Sequence, residues 1–235
     1  MTEPLRAPIQ VEYPESDGEP MAEDDLHRVE MSEYAIEVLE DFFATDANVY
    51  VSGNNFIYFT EGDPSDSVSP DTYVVIGVPK HRRKTFKVWE EKAVPCFVLE
   101  ITSQKTARKD RGDKRAIYEG LGVGEYVLFD PTTDWIREGL RAFRLEGGSY
   151  VPVIPQAGGL ESRGLGLTLF MEGGHLRFRD STGRILPTRA ERAEQERARA
   201  EREKARAEQE KARADAAESK VLALRAELEK LRGSR

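Results

Sequence analysis

The 235-residue chain holds a single cysteine, Cys96, which excludes an internal disulfide and a cysteine-built zinc site. Its three histidines, His27, His81 and His175, are too widely spaced to suggest a histidine cluster, so any metal must be held by oxygen ligands. Long apolar runs are missing as well. No segment approaches the roughly 20 apolar residues that span a bilayer, so no membrane is expected as a partner. The N-terminus has neither a basic start nor an apolar stretch, so no secretory or transit peptide is expected and the cytoplasm is the default compartment. The length fits one globular domain with appendages.

What the chain has in abundance is charge, 33% of its residues, distributed unevenly. Residues 1–79 carry 2 basic and 18 acidic side chains; residues 80–115 reverse this with 12 basic and 5 acidic. Residues 116–187 are close to balanced, and residues 188–235 hold 14 basic and 11 acidic side chains. An acidic body with one basic stretch is a poor general binder of polyanions, yet a local strip can steer one to a single face.

The patterning divides the chain into three parts. Residues 1–22 are low in hydrophobicity and rich in Glu, Asp and Pro, which predicts a disordered acidic lead. Residues 23–187 form the expected globular domain. Within it, Leu26, Val29, Ile36, Leu39 and Phe43 mark a helix with one apolar stripe. The runs 48–51 and 55–60, joined through Ser52, Gly53 and Asn54, read as a hairpin, and 72–78 as a further strand. The continuous apolar character of 96–101 and 126–129 predicts strands buried on both faces, with a helix from about Asp110 to Leu121 between them. Shorter β-like runs follow at 140–145, 150–154, 165–170 and 175–178. The order of elements describes an α/β fold with a sheet of mixed direction.

Residues 188–235 repeat every seven residues (RARAERE, KARAEQE, KARADAA), which predicts one long charged helix. The seam turns apolar only toward its end, through Ala214, Ala217, Val221, Leu224, Leu228 and Leu231. Residues 214–231 are therefore expected to join a second copy as a coiled coil, giving a homo-oligomer.

Chemistry concentrates between Pro70 and Pro131. Asp71 opens one strand and Glu100 sits inside another. If these strands are neighbours, the two carboxylates converge on one hard cation such as Mg²⁺ or Mn²⁺. A charge in an otherwise apolar strand is costly unless paired or metal-bound, so Glu100 is where local sequence logic breaks and a functional reading gains weight. Lys105 and Lys114 follow as cations able to orient an attacking water or to stabilise a pentavalent phosphate. Other motifs lead elsewhere. Gly120, Gly122 and Gly124 follow a helix where a dinucleotide-binding loop must precede one, so they read as a helix C-cap. Ser103 lacks an elbow motif and a plausible histidine partner, which disfavours serine hydrolase chemistry. Asp110 and Asp113 read as helix-start acids, Tyr118 and Tyr126 as core-edge aromatics, and Cys96 as a small hydrophobe.

Pro70-Asp71 before a strand, FVLEITSQKT at 97–106, then Asp110, Lys114 and Tyr118, and GVGEYVLFDP at 122–131 together resemble the Uma-type restriction endonuclease family of the PD-(D/E)XK nuclease superfamily, over about residues 25–185. The resemblance implies a restriction-endonuclease-like mixed sheet flanked by helices. It further implies Asp71 and Glu100 as metal ligands, an acid of the first helix (Glu33, or else Glu37) near the metal, and hydrolysis of nucleic-acid phosphodiesters, those of DNA above all. The superfamily lysine two positions after the second acid is Thr102 here, so Lys114 resembles a relocated catalytic lysine. The basic strip from Lys80 to Lys92 would then hold the substrate backbone. The competing reading is a non-catalytic protein of nuclease fold that binds nucleic acid or a partner while its helical arm assembles it.

Overall fold

The computed structural model describes residues 11–15, 23–102, 112–156 and 158–232. The chain divides into two compact units, one running through Leu186 and one from Pro187 onward. The first is organised around a six-stranded sheet of order β1-β4-β6-β7-β8-β9. Its members are β1 (Val49–Ser52), β4 (Thr72–Ile76), β6 (Phe97–Ile101), β7 (Glu125–Phe129), β8 (Leu140–Glu146) and β9 (Ser149–Pro152). All neighbours pair antiparallel except β6 and β7, which are parallel and linked through α3 (Asp113–Leu121). Every residue of β6 and β7 is buried, as their unbroken apolar runs predict for strands covered on both faces.

Alternation along the strands separates two cores. Phe97, Leu99 and Ile101 face one way with Val127 and Phe129, packing against α1 (Glu23–Phe42) through Ala35, Val38 and Leu39. That face is also covered by a three-stranded antiparallel sheet of β10 (Leu160–Ser162), β11 (Leu167–Glu172) and β12 (His175–Arg179). On the opposite face Val98, Tyr126 and Leu128 pack with Tyr118 of α3. A small sheet of β2 (Ile57–Tyr58), β3 (Ser67–Val68) and β5 (Phe86–Lys87) joins the same core through Ile57, Val68 and Phe86. A one-turn helix, α2 (Val88–Glu91), follows β5 directly.

The expected hairpin at 48–60 does not form. β1 pairs with β4, in the register Val49↔Ile76 to Ser52↔Tyr73, and β2 pairs with β3 and β5. Between them Gly53 lies so close to the main chain of Asp71 that a Cβ there would sit 2.0 Å from the Asp71 carbonyl oxygen. Asn54, at φ 55°, then turns the chain away and donates its N–H to the Pro70 carbonyl at 2.9 Å. The Gly-Asn pair that reads as a hairpin turn instead lets the chain cross the end of β4.

Of the acidic lead, residues 11–15 are described. They lie against the basic strip rather than free in solvent, because Tyr13 and Pro14 find partners that the average composition of the stretch conceals. Residues 1–10 and 16–22 of that lead lie outside the described residues.

The second unit is a single helix, α4 (Arg189–Arg232), opened by a capping box: the Glu191 N–H donates to Thr188 Oγ1 at 2.9 Å and the Thr188 N–H to Glu191 Oε2 at 2.8 Å. Pairs four residues apart, Arg199 with Glu203 and Arg206 with Glu210, run along it. Val221, Leu222, Leu224 and Leu228 are exposed. Among the described residues no helix is long and apolar enough to cross a membrane.

Candidate active site

Strand pairing brings the two sequence-predicted acids together. β4 and β6 run antiparallel with Thr72 opposite Leu99, and one further step of that register sets Asp71 opposite Glu100. The Ile101 N–H donates to Asp71 Oδ2 at 2.7 Å, which fixes the aspartate against the end of β6. Glu100 shares its face of the sheet with Val98 and therefore points toward α3. There Lys114 Nζ donates to Glu100 Oε2 at 2.7 Å and the Tyr118 hydroxyl to Oε1 at 2.6 Å. Lys114 and Tyr118 are four residues apart on the helix, so one face delivers both donors. The α3 C-terminus is closed at Gly122, which adopts φ 83° and donates its N–H to the carbonyls of Glu119 and Tyr118, the C-cap that the glycine pattern predicts.

Behind Asp71 is a second set of contacts. Ser32, fully buried on α1, donates its hydroxyl to the Asp71 carbonyl and accepts from Asn54 Nδ2 at 3.0 Å. Together with the close approach of Gly53, this clamps the Pro70-Asp71 turn from below.

The electrostatics are unusual for a sheet interior. Glu100 is 0% exposed and Asp71 2%. Burial, offset by Lys114 and reinforced by the neighbouring Asp71, pushes the Glu100 carboxyl up to about 7. Burial and the adjacent Glu100 also raise the Tyr118 phenol, which keeps it a donor at neutral pH. Thr102, two positions after Glu100, has a buried hydroxyl with no hydrogen bond among the described residues. Two convergent carboxylates, one of them destabilised as an anion, make an all-oxygen pair that fits a hard divalent cation.

The remaining expectations separate. Glu33 is exposed on α1 and Glu37 half-buried; among the described residues no group of three His, Cys, Asp or Glu side chains could hold a metal, so neither acid completes a triad with the pair. Lys105 and Asp110 lie outside the described residues. Asp113 stands in the first turn of α3, as a helix-start acid should. Cys96 is a half-buried thiol donating to the Val74 carbonyl at 3.4 Å, and burial followed by the charge of Glu125 pushes it up to about 12, so it is inert.

Sequence reasoning reads Tyr118 as a core-edge aromatic and Gly53 and Asn54 as a hairpin turn, and passes over Ser32. For Tyr118 the available signal was its i,i+4 spacing from Lys114; for Ser32, whose partner is a main-chain oxygen 39 residues away, nothing local pointed to it.

The basic strip is less open than its composition implies. Arg83 forms a two-point ion pair with Glu91, at 2.6 and 2.8 Å, and lies 4.3 Å over the Tyr50 ring, so it is built into the fold. Lys84 is exposed and Lys87 half-buried, the latter paired with Glu90 at 3.0 Å.

Residues 3–171 match the Uma2 family, described as "Putative restriction endonuclease". No curated protein matches the chain. Among solved structures, a crystal structure described as a putative nuclease belonging to DUF820 from Anabaena variabilis matches with 15% identity and a TM-score of 0.40, covering 59% of this chain and 75% of that one.

Proposed function

Because the chain belongs to the Uma2 family of restriction-endonuclease type, we propose that it is a divalent-metal-dependent endonuclease hydrolysing phosphodiester bonds of DNA at Asp71 and Glu100. The observation that carries this reading is the pair itself: two buried carboxylates facing each other across β4 and β6, with the Lys114 ammonium 2.7 Å from Glu100. Asp71 and Glu100 would hold Mg²⁺ or Mn²⁺, which when bound supplies Lewis-acid polarisation and neutralises charge developing on the phosphate. The protein's own contribution is positional. The Ile101 N–H and the Ser32 clamp fix Asp71, and Tyr118 fixes the rotamer of Glu100. Lys114, partly exposed where Glu100 is not, is the cation able to follow charge onto the phosphoryl oxygens or to orient the attacking water. Lys105 remains the other candidate for that role.

The test is incubation of the full chain with supercoiled plasmid in Mg²⁺, Mn²⁺ or EDTA, beside Asp71→Ala and Glu100→Ala. Nicking or linearisation with either metal, abolished by EDTA and by each substitution, is expected. Cleavage indifferent to both substitutions excludes the mechanism. Intact DNA and RNA under every condition favours the non-catalytic binding reading.

Assembly of two copies through residues 214–231 belongs to the same proposal. Val221, Leu224 and Leu228 fall at alternating spacings of three and four on one face of α4 and are exposed in the single chain. A solution mass of 26.5 kDa for the intact protein would refute it.

A further inference from the structure

Residues 11–15, Val-Glu-Tyr-Pro-Glu, form no helix or strand, yet side chains hold them at several points against the basic strip. The Tyr13 ring meets Tyr58 edge-on at 5.0 Å and Trp89 at 5.4 Å between centroids, and Lys87 Nζ stands 4.8 Å from its centre. The Tyr13 phenol oxygen accepts the Gly62 N–H at 2.7 Å, and the Tyr58 hydroxyl donates to the Pro14 carbonyl at 2.6 Å. Lys84 Nζ donates to Glu15 at 2.9 Å. An open cleft of about 480 Å³ runs along this contact, lined by Glu12 and Glu15 of the segment and by Lys84 and Lys87 of the strip together with its two acids, Glu90 and Glu91.

Two properties set this apart from ordinary packing of a chain end. One is chemical. A ring set edge-on and tilted among aromatic side chains beside an ammonium, followed by a carboxylate on a second ammonium, occupies the two kinds of group that hold single-stranded nucleic acid: aromatic side chains for a base and a lysine for a phosphate. The other is energetic. Lys84 and Glu15 are 78% and 56% exposed, so their ion pair is worth little and is screened by salt. Residues 80–92 carry six Lys and Arg against two acids, and the segment sets two more acids against them, halving the local net charge from +4 to +2. A run of phosphates offers the strip more than the segment does.

We propose that the strip along this cleft is a binding site for a phosphodiester backbone and that residues 11–15, which form one wall of the cleft, are a built-in, displaceable cover over the strip, with Tyr13 as the anchor. The inference rests on the nuclease reading for the identity of the incoming polyanion. Nucleic acid then binds only the fraction of molecules whose segment has left, and apparent affinity is reduced by that fraction. Loss of the ring contacts of Tyr13 raises the fraction, with an expected gain of about threefold to tenfold in affinity.

The experiment measures binding of a fluorescein-labelled single-stranded oligonucleotide, and of its duplex, to the full chain in EDTA, where the proposed cleavage does not occur, at low and moderate salt. Tyr13→Ala should bind about threefold to tenfold tighter than wild type, Glu15→Gln tighter by a smaller factor, and Lys84→Glu weaker. Preference for the single strand or the duplex identifies which form of the backbone the cleft takes. Unchanged or weakened binding by both Tyr13→Ala and Glu15→Gln overturns the displacement claim, and absence of binding by every variant overturns the site. If the affinity order holds but Mg²⁺ and Mn²⁺ never yield cleavage, the nuclease reading fails while the cleft stands.

Discussion

Glu100 and Asp130 are both fully buried carboxylates at or just past the C-terminal ends of adjacent parallel strands, and their surroundings are opposites. Asp130 accepts from the N–H groups of Thr132 and Thr133 and the Thr132 hydroxyl on one oxygen, and from the N–H groups of Trp135 and Ile136 on the other, at 2.7 to 3.1 Å. All of these donors come from the following six residues, so the carboxylate closes its own loop. Burial alone would push Asp130 up, but the backbone donors outweigh it and hold the group below the usual carboxylate range. Glu100 has two side-chain donors from α3, and its neighbour is another carboxylate. Donor number and origin thus separate an acid that the fold uses as a fastener from one that the fold tolerates as an anion only with help, and the second kind marks the candidate site.

The sharpest way to break this contrast is to remove each acid in turn and measure chemical unfolding in EDTA. Asp130→Ala strands a ring of inward-pointing N–H groups and should cost on the order of 2–4 kcal/mol. Plasmid cleavage per folded molecule should remain measurable. Glu100→Gln keeps the side-chain volume while removing a poorly supported charge, so stability should be unchanged or higher even though cleavage is lost. A loss on the Asp130 scale would put Glu100 in the structural class and undo the comparison.

A smaller effect probes the support of Glu100 directly. Tyr118→Phe deletes one of its two donors from α3 without opening a cavity. Removal of an outer partner of a metal ligand typically costs about 10- to 100-fold in metal affinity or activity, against about 1 kcal/mol in stability for one neutral hydrogen bond. A Mg²⁺ titration of cleavage by this variant should therefore shift to higher metal concentration. An unshifted titration with an unchanged rate would make Tyr118 a packing residue, which is how its sequence context reads.

Much of this architecture was legible beforehand. Unbroken apolar runs marked β6 and β7, and the three- and four-residue spacing marked α1, because burial on two faces or one imposes those periods directly. Glu100 stood out because an acid inside an apolar strand violates the same pattern, whereas Asp71, a turn position after Pro70 and just outside β4, stood out through the family resemblance. What escaped detection had no period to show. β3 and β5 are two residues each, and α2 is a single turn. Gly53-Asn54 carries a hairpin signal, overridden by the tertiary contact with Asp71. The docked segment was hidden for a related reason: one tyrosine among acids and prolines barely changes a composition average, whereas its ring finds two aromatic neighbours in space.

The smallest predicted effect concerns pH, and its sign follows from the position of Glu100. An unfolded glutamate titrates near 4.3. In the folded protein burial, offset by Lys114 and reinforced by Asp71, moves Glu100 up to about 7. Between these values the folded state binds more protons than the unfolded one, so the contribution is fully present below the unfolded value and is lost as pH rises through the folded value. Measured in EDTA, the Glu100-dependent part of the unfolding free energy should fall between pH 5 and pH 8 by about 1 kcal/mol, once relaxation around a buried charge is allowed for. Glu100→Gln should flatten that limb of the profile, and the difference between the two proteins isolates the group from every other titration. Asp130 gives the mirror image, because a depressed carboxylate supplies stability above its unfolded value and loses it in acid. Its removal should alter the profile only toward acid. If wild type and Glu100→Gln trace parallel curves from pH 5 to pH 8, Glu100 is ionised at ordinary cost, and the electrostatic distinction between the two buried acids disappears.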